Sequence, residues 1–443
     1  MKIKRDILND LNRWKVSRFR KPLVLQGARQ VGKSFILKQF SELYFENCCY
    51  VNFDFEKELK TEFALTKDPV RLVSYLATVK GMDIKPEKTL IIFDEIQECN
   101  DALNSLKYFR ELMPKQAVVC AGSLLGVALK REGASFPVGN VDFLTLYPVS
   151  FKEFLAFYAE KLAHFLENYV LNFALEKIPE IFHTQLIEAY KIYLCCGGMP
   201  EAIVRYFENR DWNEVDMVNN QILTAYTLDF AKHINSKDIP RLQRLWQNIQ
   251  DNLAKEDRKF KYSLIEKNAR GRDYENSVEW LVLSGLANRV FEVSTLRLPL
   301  SSCKNSNAFK LYLSDSGLLR TKFRLAPTTI LQNNRLFTEF KGILTENYVL
   351  QSLVHQFGSD IFYWTSGNQA EIEFIFQHSD IIIPVEAKST FSTKSKSLSA
   401  YRKKYLPELS IRFSLKNVEK NDDLLNLPLY LADYTAQLLK KET

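Results

Sequence analysis

The residues from Gly27 to Ser34 have the types and spacing of a loop that binds phosphate. They read GARQVGKS and fit the pattern G-x-x-x-x-G-K-[ST]. Glycines let successive backbone N–H groups turn toward an anion, and the start of a following helix adds a favourable dipole. Lys33 can reach the β- and γ-phosphates of ATP, and Ser34 can bind Mg²⁺. The predicted nucleotide-binding residues are Gly27, Ala28, Arg29, Gln30, Val31, Gly32, Lys33, Ser34 and Phe35.

A second group of chemically capable residues follows the apolar run Leu90–Phe93. Two carboxylates at the end of a buried strand are costly unless a cation or a reaction uses them. We therefore expect Asp94 to hold Mg²⁺ through water and Glu95 to polarise the attacking water as general base. A further strand predicted at Ala117–Ala121 ends close to Ser123, whose hydroxyl either senses the γ-phosphate or simply forms the turn.

The elements that must position these residues are visible in the first 150 residues. Strand-like apolar runs alternate with helical stretches, which is typical of an α/β fold with a parallel sheet. An apolar strand precedes the phosphate-binding loop, and an amphipathic helix is predicted over Ser34–Phe45, as the pattern requires. The predicted strands are Pro22–Gln26, Cys49–Phe55, Leu90–Phe93, Ala117–Ala121 and Phe143–Tyr147.

The pattern changes after residue 150. Residues 151–239 have helical periodicity without strand-like runs, which predicts a lid-like helical region. Within residues 240–330, three helical stretches precede two strands, the order found in a winged helix. Residues 331–443 return to α/β character and are predicted to form a separate C-terminal domain. The fold class is therefore α/β, with residues 1–150 as a P-loop NTPase core.

Several phrases of the sequence together resemble the bacterial and archaeal AAA+-type ATPases of the STAND-related P-loop group. In the core these are GARQVGKS, LIIFDEIQE, CAGSLLG and LYPVSFKEFL. Beyond it, GGMPEAI, TLDFAK, FKLYLSDSGLL, ENYVLQSL and PVEAKS are similar to the uncharacterised C-terminal domain that accompanies this ATPase. The resemblance covers nearly the whole chain, from about residue 15 to 435, and implies that the protein binds ATP. Asn140 departs from it, since relatives often carry a basic residue there.

Four residues of the C-terminal domain resemble the PD-(D/E)xK nuclease arrangement. Glu346 lies on a predicted helix, Glu373 on one predicted strand, and Glu386 and Lys388 at the end of the next. Positions i and i+2 of a strand share a face, so Glu386 and Lys388 point the same way. The carboxylates could hold a divalent ion and the lysine could orient the attacking water. E-x-K also occurs by chance as an exposed pair, and Glu373 replaces the usual aspartate.

Composition excludes several classes of protein. The 443 residues contain 60 basic and 53 acidic residues, a formal net charge of +7, and seven cysteines without a C-x-x-C pair. No apolar stretch is long enough to span a membrane and no secretory signal is visible, so we expect a cytoplasmic protein with reduced cysteines. The basic runs 255–272 and 388–404 are either solvated faces or contacts for DNA or RNA, and a third run covers Lys2–Lys21.

Three functions compete at this point. The leading hypothesis is an ATPase that acts as a nucleotide-driven conformational switch. One alternative is an ATP-dependent nucleic-acid processing enzyme with an active C-terminal nuclease. Another is a regulator that binds ATP without hydrolysing it and docks a protein partner. The basic run 255–272, with Phe260 and Tyr262 interleaved, could face DNA or another domain of the same protein.

Overall fold

The computed structural model describes residues 2–122, 139–233, 238–255, 258–332, 338–367, 370–391 and 395–442. The chain divides into two compact units. The N-terminal unit comprises Arg5–Tyr147 with Leu283–Gly285, and the C-terminal unit comprises Met1–Lys4, Pro148–Val282 and Leu286–Thr443. Residues 151–443, which the sequence analysis divides into three segments, thus fall almost entirely within one unit.

The N-terminal unit contains a five-stranded sheet in which all pairings are parallel. Its spatial order is β2-β3-β4-β1-β5, and the central strands β3 and β4 are buried along their whole length. This confirms the parallel α/β sheet predicted from the apolar runs. The strands are β1 Leu23–Gln26, β2 Asn47–Asn52, β3 Thr89–Asp94, β4 Ala117–Ala121 and β5 Asp142–Thr145.

Helices cover this sheet and bury their apolar faces against it. One core cluster includes Phe53, Phe63, Phe93 and Phe109, whose rings meet at 5.4–6.2 Å between centroids. Offset and edge-on ring pairs of this kind add to the stabilisation from burial. The helices described in this unit are Ile7–Val16, Lys33–Tyr44, Leu59–Leu65, Pro69–Lys80 and Asn100–Leu112.

The C-terminal unit begins with helices, as the periodicity predicts. The first is capped by Ser150, whose hydroxyl accepts from the Glu153 N–H while the Glu153 carboxylate accepts from the Ser150 N–H. The helices before the first strand of this unit are Phe151–Tyr158, Glu160–Leu171, Glu180–Cys196, Pro200–Asn209, Trp212–His233, Ile239–Leu253 and Gly271–Leu283. Those that follow are Ser316–Lys322, Pro327–Leu331, Thr338–Phe357, Lys396–Tyr405 and Thr435–Glu442.

A mixed sheet of eight strands forms the second layer of this unit. Its order is β12-β13-β11-β10-β9-β8-β6-β7. The pairs β9 with β10 and β8 with β9 are antiparallel, whereas β10 with β11 is parallel. The strands are β6 Ala287–Val293, β7 Lys304–Leu313, β8 Ile361–Thr365, β9 Glu371–His378, β10 Ile381–Ala387, β11 Ser410–Ser414, β12 Glu419–Asn421 and β13 Leu424–Pro428.

The hairpin predicted as the wing of a winged helix belongs to this sheet. β6 and β7 pair antiparallel, as expected, but β6 also pairs in parallel with β8 through Phe291 and Phe362. Of the three helical stretches predicted within residues 240–330, the middle one is only a 3₁₀ turn at Tyr262–Leu264. β6 thus has a strand on each side, β7 and β8, and belongs to the C-terminal sheet. In the part of the chain that the structure describes, residues 240–330 therefore do not form a separate winged-helix module.

Two family phrases, GGMPEAI and SDSGLL, meet in the core of this unit. Gly197 ends the helix Glu180–Cys196 at a φ of +74°, and a Cβ there would lie 2.4 Å from Oδ1 of Asp315. The buried Asp315 carboxylate accepts hydrogen bonds from the N–H groups of Gly198 (2.5 Å) and Leu318 (2.8 Å). Packing therefore explains Gly197 and Asp315 in these two phrases, since only glycine permits this close approach.

All seven cysteines are free thiols, and five of them are buried. None of the helices in the described ranges combines the length and apolarity that crossing a bilayer requires.

Candidate nucleotide-binding site

The loop between β1 and the helix Lys33–Tyr44 has the backbone that an anion-binding turn needs. Gly27 has a φ of +146° and Gly32 a φ of +94°, conformations that side chains disfavour. A Cβ at Gly27 would lie 2.2 Å from the carbonyl oxygen of Leu146, so no other residue fits there. Gly32 stands at the N-terminus of the helix, where backbone N–H groups lack helical partners and attract negative charge.

Lys33 is the cation of this loop and is 7% exposed. Its ammonium donates to the carbonyl oxygens of Gly27 (2.9 Å) and Ala28 (2.8 Å). Burial lowers the pKa of Lys33 to about 8, and the carboxylates of Glu95 and Asp94 partly oppose this shift. The lysine predicted for phosphate contact and the two acids predicted for catalysis are therefore electrostatic neighbours.

Asp94 ends β3 and is 2% exposed. The hydroxyl of Tyr50 donates to its Oδ2 at 2.7 Å, and the N–H of Glu95 donates to its Oδ1 at 3.1 Å. The pKa of Tyr50 is raised to about 12 by burial and by this hydrogen bond to Asp94. The parallel register of β2 and β3 places Asn52 opposite Asp94. Both carboxylate oxygens of Asp94 are thus fixed by neighbours before any ligand is considered.

Glu95 follows with an unusual backbone. Its φ is +49°, in the left-handed region, where a residue other than glycine is uncommon. The side chain is half-buried and accepts a hydrogen bond from the amide of Gln97. Strained backbone of this kind concentrates at functional sites, where the surrounding structure maintains it.

Arg5 is a contributor that the sequence analysis did not identify. It is buried, and its guanidinium donates to the carbonyl oxygens of Val31 (3.2 Å) and Tyr147 (2.7 Å). It thereby holds the phosphate loop to the chain that follows β5. In the sequence, Arg5 is distinguished only as part of the basic run Lys2–Lys21, and such a run predicts exposed side chains. Tyr50 was missed for a similar reason, because its contact depends on strand register.

The remaining predicted nucleotide-binding residues take ordinary positions in the loop. Ser34 is half-buried in the first turn of the helix, where its hydroxyl is on the same turn as Lys33. Arg29, Gln30 and Phe35 are exposed. Ser123, predicted as a γ-phosphate sensor or a turn residue, lies outside the described residues.

Comparison with known proteins agrees with this geometry. Residues 19–155 match the AAA domain family. This match supports a P-loop ATPase domain in this part of the chain. Residues 187–329 and 341–430 match two domains of unknown function, DUF8612 and DUF4143. The second match covers the region compared above with PD-(D/E)xK nucleases, but it supports no nuclease activity. Among curated proteins, none matches the chain.

Solved structures similar to the chain include several ATPases. A Walker-type ATPase of Pyrococcus abyssi is 14% identical over 73% of this chain and 96% of that protein, with a TM-score of 0.42. The ORC2 protein of Aeropyrum pernix is 12% identical over 75% and 95%, with a TM-score of 0.37. The RuvB branch migration motor of Thermotoga maritima is 14% identical over 65% and 90%, with a TM-score of 0.29. These low scores support no argument about function.

Outside the AAA domain, the structure brings the four residues of the predicted nuclease-like site together. The Lys388 ammonium lies 3.1 Å from Oε1 of Glu386 and 3.6 Å from Oε1 of Glu373. Glu346, on the helix Thr338–Phe357, is an electrostatic neighbour of both Glu373 and Lys388. We call these four residues, with the cations described next, the C-terminal charge cluster.

Two arginines complete the C-terminal charge cluster. Arg258 forms an ion pair with Glu346, whose second oxygen accepts a hydrogen bond from the Tyr312 hydroxyl at 3.3 Å. Arg412 stands opposite Glu386 in the parallel register of β10 and β11 and donates to its Oε2 at 2.7 Å. The carboxylates of Glu346 and Glu386 are therefore each neutralised by a side chain of the same unit.

Glu373 is the exception within the cluster. Its Oε2 is buried and has no hydrogen-bond partner among the described residues. Burial raises the pKa of Glu373 to about 8; Lys388 opposes this, while Glu346 and Glu386 add to it. A protonated Glu373 at neutral pH would avoid an unpaired buried charge.

The cluster does not fit the divalent ion that the nuclease resemblance implies. Across the described ranges, no three His, Cys, Asp or Glu side chains are arranged to hold a metal ion. Arg258 pairs with Glu346, Lys388 and Arg412 pair with Glu386, and Lys388 also lies 3.6 Å from Oε1 of Glu373. The prediction that Glu346, Glu373 and Glu386 share one ion is therefore not met in this arrangement.

The two basic runs proposed as nucleic-acid contacts are partly used inside the unit. In run 255–272, Arg258 pairs with Glu346 and Lys259 lies 3.5 Å from Glu292. In run 388–404, Lys388 belongs to the charge cluster and Arg402 pairs with Asp423. These residues are less available for a phosphate backbone than the sequence alone indicates.

Proposed function

We propose that this protein is a Mg²⁺-dependent ATPase whose nucleotide state switches its conformation. The observation that carries the proposal is the convergence of Lys33 with Asp94 and Glu95 at the N-terminus of the helix Lys33–Tyr44. A cation for phosphate, a buried acid for the metal and a second acid for water are the parts that hydrolysis of a nucleoside triphosphate requires.

Phosphate binding follows from the loop itself. The N–H groups of the glycine-containing turn and the helix N-terminus favour an anion. Lys33, which bonds to the carbonyl oxygens of Gly27 and Ala28, would exchange them for the β- and γ-phosphate oxygens. Because a bound phosphate favours the charged amine, binding would raise the pKa of Lys33 again and keep it protonated at higher pH.

Asp94 and Glu95 would have separate roles in hydrolysis. Ser34 and Asp94 would hold Mg²⁺, the ion that neutralises charge on the phosphates. The hydrogen bond from Tyr50 keeps Asp94 oriented for this task. Glu95 would accept the proton of the attacking water. The hydrogen bond from Gln97 orients the Glu95 carboxylate, and in this proposal Asp94 serves the metal while Glu95 serves the water.

The switch role rests on the same residues. Contacts to a γ-phosphate that exist before hydrolysis and are lost afterwards are a common basis for two-state behaviour. Here Lys33 has two sets of partners, the loop carbonyls and the nucleotide, and Arg5 connects the loop to Tyr147 at the end of the AAA domain. Loss of the γ-phosphate would change the partners of Lys33 and thus the loop that Arg5 holds.

The test is ATP hydrolysis by the full chain with Mg²⁺, with and without DNA or RNA, together with nicking of the same nucleic acid. Hydrolysis that is independent of nucleic acid, with a different protease-cleavage pattern in ATP and ADP, supports the switch. Nicking that needs Mg²⁺ or Mn²⁺ supports the nucleic-acid processing enzyme. Tight ATP binding with no hydrolysis under any condition supports the regulator that docks a protein.

A further inference from the structure

The C-terminal charge cluster contains one cationic side chain for each carboxyl side chain. Three carboxylates, Glu346, Glu373 and Glu386, face three cations, Arg258, Lys388 and Arg412. Metal sites built from carboxylates have an excess of negative charge, which the divalent ion compensates. This cluster has no such excess, because the cations come from the chain.

Arg258 is the member that reaches the cluster from farthest away in sequence. It lies 88 residues before Glu346 and comes from the segment that follows the helix Ile239–Leu253, not from the sheet that carries Glu373 and Glu386. Its side chain is 19% exposed and that of Glu346 is 4% exposed. Besides pairing with Glu346, its guanidinium interacts electrostatically with Glu373. It therefore pairs with the helix glutamate and is within electrostatic range of a strand glutamate.

We propose that Arg258 occupies the place of a divalent cation between Glu346 and Glu373, so that this unit binds no metal ion while the arginine is present. A guanidinium can satisfy carboxylates from two elements, as a metal ion does, but it offers no open position for water or a phosphodiester. The nuclease-like arrangement is then a structural ion network whose metal-binding capacity appears only when Arg258 is removed.

Removing the guanidinium should expose this capacity. In Arg258→Met, the apolar stem keeps much of the packing, while Glu346, Glu373 and Glu386 are left with Lys388 and Arg412 alone. An uncompensated buried carboxylate is strongly destabilising, and a divalent ion would relieve the repulsion. We therefore expect the variant to gain a Mn²⁺ site and to unfold at a temperature about 5 °C or more lower in EDTA, with part of this loss restored by Mn²⁺.

The experiment uses nucleotide-free full-length protein carrying Asp94→Asn, which removes the metal ligand of the AAA domain. Mn²⁺ binding is measured by electron paramagnetic resonance, and unfolding by calorimetry with and without Mn²⁺. The protein with Arg258 intact should bind no Mn²⁺. Arg258→Met should bind one ion, and adding Glu373→Gln should abolish that binding. Arg244→Met, which removes an exposed arginine paired with Glu266, is the matched control and should change neither measurement.

Two results would overturn the proposal. One is Mn²⁺ binding by the protein with Arg258 intact that disappears in Glu373→Gln, because the cluster would then be a metal site despite the arginine. The other is a folded Arg258→Met variant that binds no Mn²⁺, because the arginine would then not stand in the place of an ion. If Arg258→Met does not fold, Mn²⁺ binding by the protein with Arg258 intact, compared with Glu373→Gln, still tests the proposal. Neither result depends on whether the AAA domain hydrolyses ATP.

Discussion

The hydroxyl of Tyr50 on β2 donates a 2.7 Å hydrogen bond to Oδ2 of Asp94 on β3. The two strands are parallel neighbours, so the tyrosine is placed beside the acid by sheet register. Since the Glu95 N–H occupies Oδ1, the carboxylate has one defined orientation. Tyr50 is therefore a positioning residue for the proposed metal ligand.

Replacing Tyr50 with phenylalanine should weaken the binding of Mg²⁺ more than the binding of ATP. A hydrogen bond to a charged group contributes about 1.5–3 kcal/mol, and part of this would be lost in orienting Asp94. We expect the Mg²⁺ concentration for half-maximal hydrolysis to rise roughly 5-fold or more. Titrations of hydrolysis with Mg²⁺ measure this. Tyr108→Phe, on the helix Asn100–Leu112, should behave like the wild type; an unchanged Mg²⁺ requirement in Tyr50→Phe would exclude the positioning role.

Replacing Lys33 with alanine should abolish tight ATP binding. The change removes the ammonium that is buried in the phosphate loop and aimed at the β- and γ-phosphates. Calorimetric or fluorescence titration with ATP measures the affinity, and circular dichroism checks folding. Lys57→Ala, an exposed lysine of the same unit, should bind ATP normally. Undiminished affinity in a folded Lys33→Ala protein would disprove the site.

Replacing Glu95 with glutamine should separate binding from hydrolysis. The amide keeps the shape of the side chain but cannot accept a proton, so hydrolysis should fall by about 10²–10⁴-fold while ATP and Mg²⁺ remain bound. Single-turnover hydrolysis and ATP titration are measured in parallel. Glu98→Gln, an exposed acid in the same turn, should leave both unchanged. Hydrolysis at the wild-type rate in Glu95→Gln would assign the base elsewhere.

ATP binding should take up a proton near pH 8. Burial lowers the pKa of Lys33 to about 8 in the nucleotide-free protein, and phosphate favours the charged amine. As the pH rises above 8, the free protein loses this proton, so ATP affinity should fall with increasing pH. Calorimetry in buffers of different ionisation enthalpy counts the protons. Lys33→Arg keeps a charge that does not titrate in this range, so its affinity should lack this pH dependence.

Glu373 should make the protein less stable as the pH rises. Its folded pKa of about 8 lies above its ordinary value of 4.5, so the folded state binds the proton more tightly than the unfolded state. The stabilisation is complete below about pH 4.5 and is lost as the pH rises through 8. The charged groups that face Glu373 are Glu386 in β10, Lys388 just after β10, and Glu346 on the helix Thr338–Phe357.

Chemical denaturation between pH 5 and 9 tests this dependence. Glu373→Gln should flatten the fall in the free energy of unfolding, because the amide carries no charge at any of these pH values. Glu419→Gln, on the exposed strand β12, should retain the wild-type slope. A Glu373→Gln protein with an unchanged slope would show that Glu373 is ionised and compensated in the folded state.

Local sequence predicted the phosphate-binding loop and the acids that follow β3. Both depend on short stretches, a strand running directly into Gly27–Ser34 and an apolar run ending at Asp94, whose geometry the backbone alone dictates. The strands β1, β3 and β4 were likewise predictable, because buried parallel strands appear as continuous apolar runs. The i, i+2 rule also predicted correctly that Lys388 would lie beside Glu386.

Tertiary structure decided the contacts between residues far apart in the sequence. Arg5 and Tyr50 join the site through a buried side chain and a strand register, and neither leaves a local pattern. The backbone N–H and C=O groups on one edge of β6 pair with β8, because the fold places β8 beside them. The predicted wing is therefore part of a larger sheet. Arg258 reaches Glu346 across 88 residues. Sequence thus determined which residues could do chemistry, and packing decided which charges neutralise one another, because buried charges must find partners wherever the chain brings them.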